Sequence, residues 1–211
     1  MNHSTLIQFI VIAISAGTPL VFAATGEILA ERSGVMNLGL EGLMLTGAIF
    51  AYWTTVATHS TWLGLIAGAL ASTALATIFA FLAITLRANQ IVAGIAIVIL
   101  GTGISGYLGQ AGPALASRSS GGVFTAVFKG GPADWPIVGP ILFGHTPLVY
   151  LSWLFVAAAS WYLFRTRSGL NVRAVGENPA TADSSGLDVT RIRYVHVLGG
   201  AAAAGIGGAC L

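Results

Sequence analysis

The sequence predicts an all-α fold, a polytopic bundle of transmembrane helices, on three observations. Only 8% of its 211 residues are charged, against about 25% in a soluble domain. Mean hydropathy is +0.85. Apolar runs of roughly the 17–25 residues that cross a bilayer as helix recur along it, separated by polar breaks. A helix satisfies its own backbone N–H and C=O groups inside hydrocarbon, so such runs are read as spans.

Residues 6–25 form the first expected span, with Pro19 placed to kink it near its end. No Lys or Arg precedes Arg32, and a secretory leader carries that charge, so this run reads as a retained helix rather than a cleaved peptide. Residues 26–34 follow as a charged connection. Residues 35–57 are the second span, ending in the interfacial aromatic pair Tyr52 and Trp53. Residues 62–86 are the third, carrying Gly64 and Gly68 at a spacing that permits close helix contact. After the polar break 87–90, residues 91–108 form a glycine-studded fourth span held by packing rather than by propensity. Residues 110–146 read as one long Gly/Pro-punctuated loop, whose apolar pieces at 123–128 and 137–143 are too short to span.

Residues 147–164 are the fifth span. Arg165, Arg167, Arg173, Arg191 and Arg193 then place five of the nine basic residues in one segment, 165–193, which the positive-inside rule assigns to the cytoplasm. Counting back, Arg87 and Arg32 are inside, while the long loop and the N-terminus are outside. A sixth apolar run, 194–211, stops within a Gly/Ala-rich stretch, so the single membrane domain, 1–211, reads as truncated at its C-terminus.

This composition also excludes functions. A net charge of +2 in such a chain signals topology and not nucleic-acid binding. The lone Cys210 forms no intrachain disulfide, and His3, His59, His145 and His196 stand singly without metal-ligand spacing, so no metal site is expected. There is no GxxxxGK[ST], and the one lysine is Lys129, so ATP is not bound here through a P-loop. No Ser/His, His/His or paired-carboxylate arrangement falls within one span, which argues against an enzyme.

Two stretches carry candidate functional residues. In the second span, Glu41 sits in apolar sequence where an ionised carboxylate costs about 2.5–3.5 kcal/mol or more. If helical, Asn37 and Glu41 project from one face and share partners. Gly39 and Gly42 remove side-chain bulk, letting a solute or another backbone approach, and weaken the helix enough for a break. One reading is a path-lining, broken helix; the other is that Glu41 caps or pairs inside a packed bundle. The second stretch is 176–186, where Asn178 is an N-cap, Pro179 suits the first helical position and Gly186 is a stop. It predicts a two-turn helix over 179–185, presenting Ala180 and Ala182 to a partner's groove, or else an ordinary capped loop.

Three segments, GEILAERSGVMNLGLEGLM at 26–44, RANQIVAG at 87–94 and GENPATADSSG at 176–186, closely resemble the permease subunits of ABC importers for nucleosides and simple sugars, within the wider group of ribose and branched-chain amino-acid permeases. The resemblance implies a multi-pass protein of the bacterial inner membrane, embedded in lipid. Its partners would be a second permease subunit, alike or different, cytoplasmic ATP-binding subunits and an extracytoplasmic solute-binding protein. No cofactor would bind this chain, ATP and Mg residing on the ATPase. Asn37, Gly39, Glu41 and Gly42 would lie by the central path, and Asn178, Pro179, Ala180, Ala182 and Gly186 in the loop resting on the ATPase. Family members continue through further spans after that loop. Competing readings are a proton- or ion-coupled carrier titrating at Glu41, a permease for branched-chain amino acids, and a non-transporting scaffold.

Overall fold

The computed structural model describes residues 3–110, 124 and 139–211, and among these it contains helices and turns and no strand. The helices are α1 (His3–Glu31), α2 (Leu40–Thr58), α3 (Thr61–Ala80, continued by a π-helical turn Phe81–Thr85), α4 (Gln90–Gly109), α5 (Pro147–Arg165), α6 (Arg167–Glu177), α7 (Pro179–Ser184) and α8 (Val189–Ala209). Local chemistry sets their starts. Ser60, Asn89, Thr166, Asn178 and Asp188 each accept a backbone N–H from the first turn of the helix they precede, satisfying donors that the helix leaves open.

Five of these helices are long and apolar enough to cross a membrane: Leu6–Glu31, Leu40–Thr58, Thr61–Thr85, Gln90–Gly109 and Pro147–Arg165. The chain is therefore a multi-pass membrane protein. Large apolar side chains such as Phe9 and Ile12 on α1, Ile99 on α4 and Leu154 on α5 point outward, as a lipid-facing surface requires.

α8 is built differently, and it occupies the middle of the bundle, packed against α1, α2 and α3. Its run Gly199–Ala209 is almost all Gly and Ala, and Gly200, Ala201, Ala203, Ala204, Gly205, Gly207 and Gly208 are buried. A helix surrounded by protein in a bilayer gains little from Leu, because lipid is as apolar as Leu; close backbone approach contributes instead. A Cβ on Gly200 would run into the Gly26 carbonyl of α1, and one on Gly205 would meet Ser72 Oγ of α3 at 2.6 Å. Phe79, Leu43, Val35, Ile97 and Val197 fill the spaces between, and Ser72 Oγ donates to the Leu43 carbonyl at 2.6 Å, tying α3 to α2.

Several expectations are corrected. α1 does not end near residue 25 but continues through Glu31, so most of the expected charged connection is helical. α2 begins at Leu40, which leaves 35–39 non-helical and takes Asn37 off the helix that carries Glu41. Within the expected long loop, Gly139–Phe143 is a π-helical turn; of that loop's 123–128 piece, only Phe124 lies within the described residues. The segment 165–193 contains the eleven-residue α6 before α7, and α8 starts at Val189.

Candidate functional site

The break between α1 and α2 is an irregular stretch held by hydrogen bonds from several elements. Gly34 adopts φ +84°, a left-handed conformation that glycine enters without steric cost, and this reverses the chain after α1. The backbone groups that follow cannot bond within a helix and find side chains instead. Met36 N–H donates to Gln90 Oε1 at the start of α4 (2.9 Å), Asn37 N–H to Glu27 Oε1 on α1 (2.7 Å), and Gly39 N–H to Asn37 Oδ1 (2.9 Å). Arg193 of α8 donates through Nε to the Ser33 carbonyl at 3.2 Å. Three helices thus hold one turn.

Beside this turn lies a cavity of about 640 Å³ lined by Glu27, Glu31, Asn37 and Glu41 together with Leu20, Met36, Leu38, Leu40, Met44, Leu45 and Leu211. Asn37 is buried, 4% exposed; Glu27 is half-buried, and Glu31 and Glu41 are exposed. Asn37 and Glu41 do meet at one cavity, but not through one helix face: the helix break brings Asn37 there. Its carboxamide oxygen is taken by Gly39, which leaves the amide nitrogen as its donor on offer. Gly39 and Gly42 lie off the cavity, in the α2–α4 contact. A Cβ on Gly39 would sit 2.9 Å from Ile97 Cβ, and one on Gly42 would sit 2.8 Å from Val98 Cα.

Sequence reasoning did not single out Glu27 and Glu31 as cavity residues. The signal was present: they are four apart, the spacing that aligns side chains on one helical face. It was hidden by ending the first helix too early.

The second candidate stretch, 176–186, runs from the end of α6 through α7. Asn178 Oδ1 accepts from Thr181 N–H at 3.0 Å, Pro179 occupies the first turn, and Gly186 at φ +83° reverses the chain. Leu187 N–H returns to the Ala182 carbonyl at 3.1 Å. Pro179, Ala180, Thr181 and Asp183 are exposed, whereas Ala182 is 4% exposed. Ala182 is therefore not offered to a partner; it seats α7 on its own chain, which packs against α6 and the start of α8.

Behind α7 a hydrogen-bond chain joins three helices. His196 Nδ1 lies 2.6 Å from the Ile192 carbonyl, which can only accept, so in the neutral imidazole Nδ1 carries the proton and Nε2 is the acceptor. Tyr162 O–H of α5 accordingly donates to His196 Nε2 (3.0 Å), and Ser168 of α6 donates to the Tyr162 oxygen (3.0 Å).

Residues 9–211 match the profile of the family described as branched-chain amino acid transport system / permease component. The chain belongs to this permease family. The permease is 38% identical over 209 residues to a Haloferax volcanii protein named "Putative glucose ABC transporter permease protein TsgC13", covering 94% of the chain and 60% of that protein. It is 34% identical to the guanosine ABC transporter permease protein NupQ of Bacillus subtilis, covering 96% of the chain and 67% of that protein. With the nucleoside ABC transporter permease protein NupC of Lactococcus lactis the identity is 32%, over 99% and 68% of the two. The permease thus spans about three fifths to two thirds of the length of these relatives. No solved structure matches it.

Proposed function

We propose that this chain is the membrane-spanning permease subunit of an ATP-driven importer, and that the cavity between α1 and α2 belongs to the route of a neutral, polar solute, a nucleoside or simple sugar. The observation that carries this reading is the meeting of Glu27, Glu31, Asn37 and Glu41 on one otherwise apolar cavity, in a chain whose relatives are named as permeases for glucose, guanosine and nucleosides. Small-molecule sites combine apolar walls with a few placed polar groups. Carboxylate acceptors suit the hydroxyl donors of a ribose or hexose, and they repel a phosphorylated solute.

This chain carries no P-loop, so hydrolysis falls to cytoplasmic ATP-binding subunits that bear on the exposed face of α7. A second permease subunit completes the path, and an extracytoplasmic binding protein delivers the solute at the bacterial inner membrane. Covalent chemistry has no part in the step. Gly39 and Gly42 set the α2–α4 spacing that supports the cavity wall.

Uptake of labelled guanosine and glucose into vesicles holding the chain with all its partners tests this reading. It should require ATP and stop with vanadate. Glu41→Gln should slow uptake while assembly is retained. Three carboxylates on one cavity also suit a proton-coupled carrier, and uptake that follows a pH gradient and ignores vanadate would establish that alternative and end the importer reading.

A further inference from the structure

At the junction of α5 and α6 the fold assembles features that the transport reading leaves unused. α5 ends in Trp161, Phe164 and Arg165, and α6 begins two residues later with Arg167. Trp161 is 63%, Phe164 55% and Leu170 57% exposed, so an apolar surface continues past the end of the span onto α6. α6 buries Gly169, Val172 and Val175, and Gly169 seats it against the backbone of Tyr162 and Leu163. The helix is thereby folded against the end of α5, with Leu170 outward.

Among these apolar groups stand three guanidiniums. Arg165 and Arg167 are exposed. Arg173 lies with its guanidinium carbon 5.4 Å from the centre of the Phe164 ring, and its Nε is buried with no hydrogen-bond partner. No Asp or Glu occurs from Pro147 to Gly176, and Glu177 stands at the far end of α6. Within this stretch of sequence the protein supplies donors and positive charge and no acidic side chain to meet them.

We propose that this junction binds the headgroup of an anionic phospholipid. Its phosphate would be held by Arg165, Arg167 and Arg173, and its acyl chains would lie on Trp161, Phe164 and Leu170. Guanidinium matches phosphate oxygens in a fork that a point charge cannot reproduce. Aromatic side chains at a span's end lie at headgroup level, and clustered basic residues just beyond a span attract anionic lipid. The joint presence of bare cations and an uncovered apolar surface favours a lipid over a free anion, which would use the charges alone, and over a soluble partner, which would not need the aromatic face at membrane depth.

Native mass spectrometry of the purified full chain, titrated with phosphatidylglycerol and phosphatidylcholine at equal concentration, tests this. Wild type should retain phosphatidylglycerol preferentially, and each lost arginine should reduce that preference about fivefold, the attraction of one charge at an anionic surface. The decisive variant is R165Q/R167Q, because both side chains are exposed and the fold does not depend on them; R173Q is read beside it. R191Q removes another exposed arginine outside the junction and should change little. Equal retention of the two lipids by wild type would overturn the proposal, as would an equal loss in R191Q or displacement of phosphatidylglycerol by millimolar inorganic phosphate. Unchanged lipid retention in R165Q/R167Q, with loss of a bound ATP-binding subunit, would assign the patch to protein instead.

Discussion

Removing the Glu27 carboxyl should loosen the turn that shapes the cavity. Its Oε1 is 2.7 Å from the Asn37 N–H, and Asn37 is 4% exposed, so water cannot readily replace the acceptor. Leaving a buried donor unsatisfied costs about 1–3 kcal/mol. In Glu27→Ala that amount is lost from the local stability of residues 35–39, and it raises amide hydrogen exchange there roughly 5- to 150-fold. Glu27→Gln keeps an oxygen in the same place and should leave exchange near the wild-type rate. The measurement is hydrogen–deuterium exchange by mass spectrometry on the peptide covering Asn37, with α3 as an internal reference. Equal exchange in wild type and Glu27→Ala would show that the bond does not hold the turn. Equal exchange in the Gln and Ala variants would show that charge and not the acceptor matters.

Gly42→Ala should lower the melting temperature in detergent by an overpacking penalty of about 1–3 kcal/mol, because the new Cβ meets Val98 backbone at 2.8 Å, whereas Gly103→Ala and Gly106→Ala on the open face of α4 meet nothing within 4 Å and should not destabilise. Tyr162→Phe removes the hydroxyl shared by Ser168 and His196 and should cost about 1–3 kcal/mol for the two bonds, read as faster amide exchange in α6. On α7, Ala180→Arg should leave the chain folded and prevent capture of the ATP-binding subunit proposed above in a pull-down, while Ala182→Arg, at a 4% exposed site, should fail to fold because it buries an unpaired charge. Wild-type capture by Ala180→Arg would remove α7 from the partner interface.

Membrane class and the starts of α3, α4, α5 and α7 were legible because they depend on local chemistry. Hydrocarbon tolerates only long apolar runs, and Ser60, Asn89 and Asn178 cap helices by contacts within three residues, whereas the Asp188 cap lies before polar residues and was not read as the start of α8. The α7 helix was readable for the same reason, from Asn178, Pro179 and Gly186. What was not legible depended on long-range partners. Nothing near Asn37 shows that its N–H would be taken by Glu27, or that Gln90 would reach back to Met36 across 54 residues. Those bonds stabilise 35–39 as an irregular turn, although its apolar residues could have extended α2. Burial of Ala182 and exposure of Ala180 likewise follow from where α6 and α8 happen to lie, which two like residues on either side of Thr181 cannot reveal.

The two candidate regions are joined through the least apolar of the long helices. α7 rests on α6 and on the start of α8, and α8 is held there by Tyr194, whose hydroxyl is 2.6 Å from Thr85 Oγ1, and by Arg193 bonded to the turn at Ser33. One turn later His196 ties α8 to Tyr162 and so to α6. Beyond that point Gly200, Gly205, Gly207 and Gly208 bring the α8 backbone directly against α1, α2 and α3. Contacts of that kind rearrange as a unit instead of yielding gradually. On the coupling role proposed for α7, a force applied there would reach the 32–39 turn through these contacts and hydrogen bonds, and the cavity wall carrying Asn37 is attached to that turn. The Gly/Ala composition that lowers the hydropathy of α8 is the property that lets its backbone pack directly against three other helices.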